Sequence, residues 1–171
     1  MRAENVTKTR GNTVMVRSMK QYLVWFTILL LGSIGINVST ASMYPDGSIG
    51  LLQLGASCIW LMFLIGSVVF IREEKTLLFV FNYLRFGFIA GIVVYVVTFF
   101  GRYWLGYSWF DILSGIQYPF YYLFVVPLFG FNTWLNIMYA HFALFAGFAY
   151  ILLAIGLSVR YKKLEAKQLR Y

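Results

Sequence analysis

Arg85 is the residue in this sequence with the most chemistry to offer. It stands alone in an apolar run, about two turns into a stretch long enough to cross a bilayer. Asn82 lies three residues earlier and therefore on the same helical face. A cation at membrane depth is costly and marks function by default. It could bind a lipid phosphate or an anionic ligand, or pair with a partner subunit. The plainer reading is that the long side chain snorkels back to the interface.

His141 is the single histidine and Cys58 the single cysteine. One of each cannot build a Cys/His zinc framework or an internal disulfide. His141 could act as a pH-sensitive group or touch a ligand; as an ordinary core residue it would hydrogen-bond to a neighbouring helix. Cys58 reads as a small apolar packing residue. No glycine-rich phosphate loop, HExxH or nucleophile elbow occurs. No Asp or Glu falls inside an apolar run, which argues against a carboxylate-driven proton or ion relay. Neither a cofactor nor a metal is expected.

A third group is aromatic. Tyr103, Trp104, Tyr107, Trp109, Tyr118, Tyr121, Tyr122 and Trp134 crowd one stretch, whose only charges are Arg102 and Asp111. Trp and Tyr anchor at the headgroup level, so an aromatic belt is the simple reading. The sharper one is a binding face for a lipid, peptide or partner, with Trp104, Trp109, Tyr121 and Tyr122 as contacts.

The elements that must position these residues follow from where charge is absent. Of the 171 residues 61% are hydrophobic and 12% charged, too apolar for a water-soluble fold of this size. Twenty-five uncharged residues separate Lys20 from Asp46, another 25 separate Asp46 from Arg72, and 48 run from Ile112 to Val159. The expected fold is an all-α integral membrane protein, a four-helix transmembrane bundle with spans at 21–38, 49–71, 76–100 and 136–159. Asn37, Ser39 and the Tyr44-Pro45-Asp46-Gly47 turn should end the first span. Arg72-Glu73-Glu74-Lys75 should make a tight hairpin. Residues 1–20 read as a basic mobile tail and 160–171 as a second basic tail. The basic leader and Ser39-Thr40-Ala41 resemble a signal peptide, but the apolar run is long for one and reads as an uncleaved anchor.

The 48-residue run is long enough for two crossings. Charge decides against that. Each tail carries five Lys/Arg, and such clusters stay on the cytoplasmic side, here of the plasma membrane. Four spans put 13 positive and 4 negative charges inside and leave only Asp46, Arg102 and Asp111 outside. Residues 101–135 then form an outer aromatic segment, re-entrant or lying at the interface. Pro119, Pro127 and Gly130 should interrupt it, and any dip should be shielded by the helices.

Gly87 and Gly91 form a GxxxG motif, with Ala143 and Gly147 as a small-xxx-small counterpart. Such pairs let helices approach closely, either within one chain or across a homodimer. Gly32 and Gly35 make a weaker version. The expected function is non-catalytic: a subunit, assembly factor, sensor or protective partner acting through helix packing and the outer aromatic segment. An oligomeric transporter lined by Asn82, Arg85 and His141 is the alternative. A lipid-modifying enzyme using Asp111 or His141 is weaker, because acid–base work normally needs a second positioned group. Expected partners are the bilayer and a second copy or another membrane protein. Nucleic acid is not expected, since topology accounts for the basic charge.

Overall fold

The computed structural model describes residues 2–43, 49–104 and 108–168, with backbone only at 2–18, 102, 104, 108–111, 113 and 163–168. All elements among the described residues are helical: α1 (Arg2–Met43), α2 (Leu51–Phe70), α3 (Glu74–Trp104), α4 (Ser108–Phe120), a π turn (Tyr121–Val125), a 3-10 turn (Val126–Phe131), α5 (Asn132–Leu135) and α6 (Tyr139–Gln168). Four stretches are long and apolar enough to cross a membrane: Met19–Met43, Leu51–Phe70, Glu74–Gly101 and Tyr139–Lys162.

Two extents differ from the sequence reading. The first helix does not end near Asn37 but runs on to Met43, and it begins at Arg2 where a structureless tail was expected. No proline precedes Pro45, and the Asn37 amide bonds back to Ser33 O one turn earlier, a contact the continuous helix accommodates. The stretch after α3, expected as an outer aromatic segment, is helical from Ser108 to Phe120.

The four long helices alternate in direction. Met19, Phe70, Glu74 and Lys162 gather at what we call the tail end, and Met43, Leu51, Trp104 and Tyr139 at the loop end. Residues 71–73 join α2 to α3, where Thr76 Oγ1 donates to Glu73 Oε2 at 2.9 Å. Arg160 Nη1 donates to Val68 O, so α6 supplies a cation to the carbonyl end of α2, where the helix dipole favours one.

Helices α3 and α6 pack antiparallel through their small residues. A Cβ at Gly91 would lie 2.5 Å from Ala143 O and 2.8 Å from Gly147 Cα, and one at Gly87 would meet the Tyr150 ring at 2.7 Å. The two backbones therefore meet within this chain at Gly91, Ala143 and Gly147, while Gly87 makes room for the Tyr150 ring. In the tail half the core is aromatic. Phe26 lies edge-on to Trp60, Phe79 and Tyr83, at centroid distances of 5.2, 5.0 and 4.9 Å.

In the loop half the centre of the bundle is filled by residues 121–130. Tyr121 and every residue from Phe124 to Gly130 are buried. The chain enters from the loop end as α4, turns at 126–131 and leaves as α5. Its tip meets α1 at Ser33, ten residues from Met43, and α6 at Tyr150, eleven residues from Tyr139. At 1.5 Å per residue those points lie about 15 Å below the loop end, roughly half of a 30 Å hydrocarbon layer.

Candidate functional site

A hairpin with irregular backbone needs a partner for every buried polar group. Proline creates the first vacancy. The α-helical donor for Leu123 O would be the residue four positions on, which is Pro127 and has no N–H. Tyr83 hydroxyl takes its place, donating to Leu123 O at 3.2 Å. Tyr150 hydroxyl donates to Phe124 O at 2.8 Å, and Ser33 Oγ to Pro127 O at 2.8 Å. On the way out, Gly130 N–H donates to Ser57 Oγ at 3.0 Å, and Thr133 Oγ1 donates to Gly130 O at 2.7 Å. Asn132 clamps Ile137 from both sides, accepting from its N–H at 3.1 Å and donating to its C=O at 2.9 Å. That clamp holds Asn136 at φ 45°, a left-handed position that asparagine tolerates, and so aims α6 back along α3.

Beside Ser33 and Ser57 lies Asn37, with no exposed surface. Its Nδ2 donates to Ser33 O at 2.9 Å and to Ser57 Oγ at 3.3 Å, tying α1 to α2, while Oδ1 has no partner among the described residues. Replacing Ser33 with alanine should lower stability by about 1–3 kcal/mol, because Pro127 O is left buried without a donor. Thermal unfolding in detergent checks this; an unchanged midpoint would count against the bond.

Where the hairpin leaves the loop end, it builds a recess with polar groups in its lining. Ala41, Ser42, Val94, Gln117, Tyr118, Tyr121, Tyr122 and Tyr139 surround about 170 Å³. Tyr121 hydroxyl donates to Ala41 O at 3.3 Å, and the Tyr122 and Ser42 hydroxyls are bonded at 3.3 Å. Gln117 is fixed from below by Thr98 Oγ1, which donates to its Oε1 at 3.2 Å. The Tyr121 ring stands edge-on to Tyr122 and Tyr139, with centroids 5.7 and 5.9 Å apart. Burial pushes the Tyr121 phenol well above its ordinary pKa, with Tyr122 and Tyr139 adding to the effect. The recess thus offers neutral aromatic rings, hydroxyls and an amide.

The residues singled out from sequence fall into three places. Tyr121 and Tyr122 meet in this recess. His141 is exposed on α6, edge-on to Tyr95 at 5.7 Å, and among the described residues it makes a ring contact instead of the expected inter-helix hydrogen bond. Asn82 and Arg85 are exposed on α3 toward the tail end, the Arg85 guanidinium carbon 5.6 Å from the centre of the Phe81 ring. The side chains of Arg102, Trp104, Trp109 and Asp111, and all of Tyr107, lie outside the described residues.

Sequence reasoning passed over Ser33, Ser57, Tyr83 and Tyr150, which hold the hairpin, and read Asn37, which braces Ser33 and Ser57, only as a helix terminator. The available signal was polar side chains within apolar runs. It also missed Ser42, Gln117 and Tyr139 in the recess, which only the folded hairpin brings together.

Fold and site together define a protein that is helical throughout its described elements, with four helices among them long and apolar enough to cross a membrane, and a recess at the mouth of a buried hairpin. No family model, curated protein or solved structure matches the chain.

Proposed function

We propose that this chain is a non-catalytic integral membrane protein that recognises a ligand or partner at the outer face through the tyrosine-lined recess. In this reading the four long helices span the plasma membrane with both basic tails cytoplasmic. Residues 108–135 form a re-entrant segment that plugs the outer half of the bundle. The observation that carries it is the convergence of Tyr118, Tyr121, Tyr122 and Tyr139 on one cavity at the mouth of the hairpin. Rings with polar tips suit a site that is apolar on one side and wet on the other. The hairpin makes that site rigid, because its backbone is pinned by α1, α2, α3 and α6. A transport path through the monomer is disfavoured: Trp60, Tyr150, Phe129 and Phe142 fill the centre with almost no exposed surface.

Topology is tested in a Cys58→Ser background with one cysteine added at a time. A membrane-impermeant maleimide on intact cells should label Met138→Cys, at the loop end, and spare Lys20→Cys, at the tail end. The reverse pattern would sink the orientation. Binding is tested by purification in mild detergent. Wild-type chain should retain a bound molecule or protein that the Tyr121→Ala/Tyr122→Ala double variant loses. A wild-type chain that runs as a bare monomer with nothing attached would end this proposal.

A further inference from the structure

A second cavity lies at the other end of the described structure. A groove of about 340 Å³ lies there between α3 and α6, with apolar walls from Leu77, Leu78, Phe81 and Leu157. Glu74, Ser158, Tyr161 and Lys162 form the rest of its lining. Arg85 belongs to the same feature. Its guanidinium rests over the ring of Phe81, one turn nearer the start of α3, so the side chain runs down toward the groove.

We propose that this groove holds a glycerophospholipid of net negative charge from the cytoplasmic leaflet, its phosphate taken between Arg85 and Lys162. The inference rests on the membrane-embedded reading above. Charge complementarity selects the occupant. Among the described side chains the site presents two cations and one carboxylate, and Glu74 Oε1 already accepts from Tyr161 hydroxyl at 3.3 Å. The net positive balance favours an anionic headgroup over a zwitterionic one, as in basic recesses between membrane helices. A second copy of the chain fits poorly. The only acidic residue in the four long apolar stretches is Glu74, at the very start of one of them, so a copy offers no carboxylate at the depth of Arg85. A lipid phosphate does. It removes the cost of an unpaired cation in hydrocarbon and draws the headgroup inward. Asn82, exposed on the same face, adds an amide beside it. Above Arg85 the exposed stripe of Ile89, Ile92 and Val96 continues along α3 at spacings of three and four, a bed for the acyl chains.

The test uses the full-length chain purified in mild detergent with equal phosphatidylglycerol and phosphatidylcholine, bound lipid being counted by native mass spectrometry. Resistance of the chain to alkaline carbonate extraction is measured first; its release from membranes would overturn the membrane reading itself. For a carbonate-resistant chain, phosphatidylglycerol should be retained over phosphatidylcholine. Arg85→Gln should cut that preference about fivefold, while Arg85→Lys should keep most of it. Leu78→Trp fills the groove with both cations intact and should lower retention as well, which guards against a misfolded Arg85 variant. Equal retention of the two lipids by the wild type, or a preference untouched by both Arg85→Gln and Leu78→Trp, would overturn the site.

Discussion

Replacing Gly130 with valine should cost at least about 3 kcal/mol and release the hairpin from the bundle. The expectation comes from what surrounds that residue. A Cβ there would strike the backbone of Gln53 and lie 2.7 Å from Leu54 N. These are main-chain atoms in the first turn of α2, so no flexible side chain can swing away. The only relief is to push Phe131 and the outward leg off α2. That would break the Gly130 N–H bond to Ser57 Oγ and the Ser33 bond to Pro127 O. Both backbone groups would then be stranded, which adds to the steric cost. A thermal midpoint in detergent within about two degrees of wild type would show that the close approach is not real. Limited proteolysis between α4 and α6 gives a second readout, since a detached hairpin exposes its backbone.

The contrast between the helices and this hairpin marks where sequence stops being legible. Three of the long helices follow from spacing between charges, because a bilayer-length run needs only a count. The start of α6 and the return of residues 108–135 to the loop end required charge balance as well. The path of the hairpin was less accessible. Its stability depends on donors from Ser33, Ser57, Tyr83 and Tyr150, at distances along the chain from 26 to 94 residues. Nothing local to Leu123 or Gly130 reveals such partners. Pro127 does reveal the need for one, since it removes the donor that Leu123 O would have used. The reading of Asn37 as a helix terminator failed for a related reason. Its Nδ2 bonds back to Ser33 O one turn earlier without breaking the helix, and the same group reaches Ser57 on α2.

Arg85 shows the opposite case. Its isolation in an apolar run was plain in the sequence, but its meaning was not. Snorkelling and ligand binding predict the same residue at the same depth. The groove that would bear on the choice is formed with α6, a helix that begins more than fifty residues later. The recess at the loop end has the same character. Tyr121 and Tyr122 were visible as part of an aromatic run, while Gln117, Ser42 and Tyr139 reach them only through the fold.

Gly91→Leu is the second large effect, and it separates two uses of the same motif. A GxxxG stripe that served a homodimer would face outward, and a bulky residue would dissociate the dimer while leaving each monomer folded. Gly91 instead is buried, and a Cβ there falls 2.5 Å from Ala143 O and 2.8 Å from Gly147 Cα. Leucine must therefore prise α3 from α6 inside one chain. The hairpin feels the same movement, because Tyr83 on α3 and Tyr150 on α6 both donate to its tip. The expected result is a loss of about 3 kcal/mol or more with no change of oligomeric state in the fraction that still folds. Gly32 and Gly35 supply the control. Both are exposed on α1 with nothing within 4 Å of a built Cβ. Leucine at either should be neutral or slightly stabilising, since glycine is a poor helix former. Size-exclusion chromatography with a thermal melt of all three variants decides the matter. A Gly91→Leu chain that melts like wild type but has lost a dimer would show that α3 uses its small residues for a second copy rather than for α6.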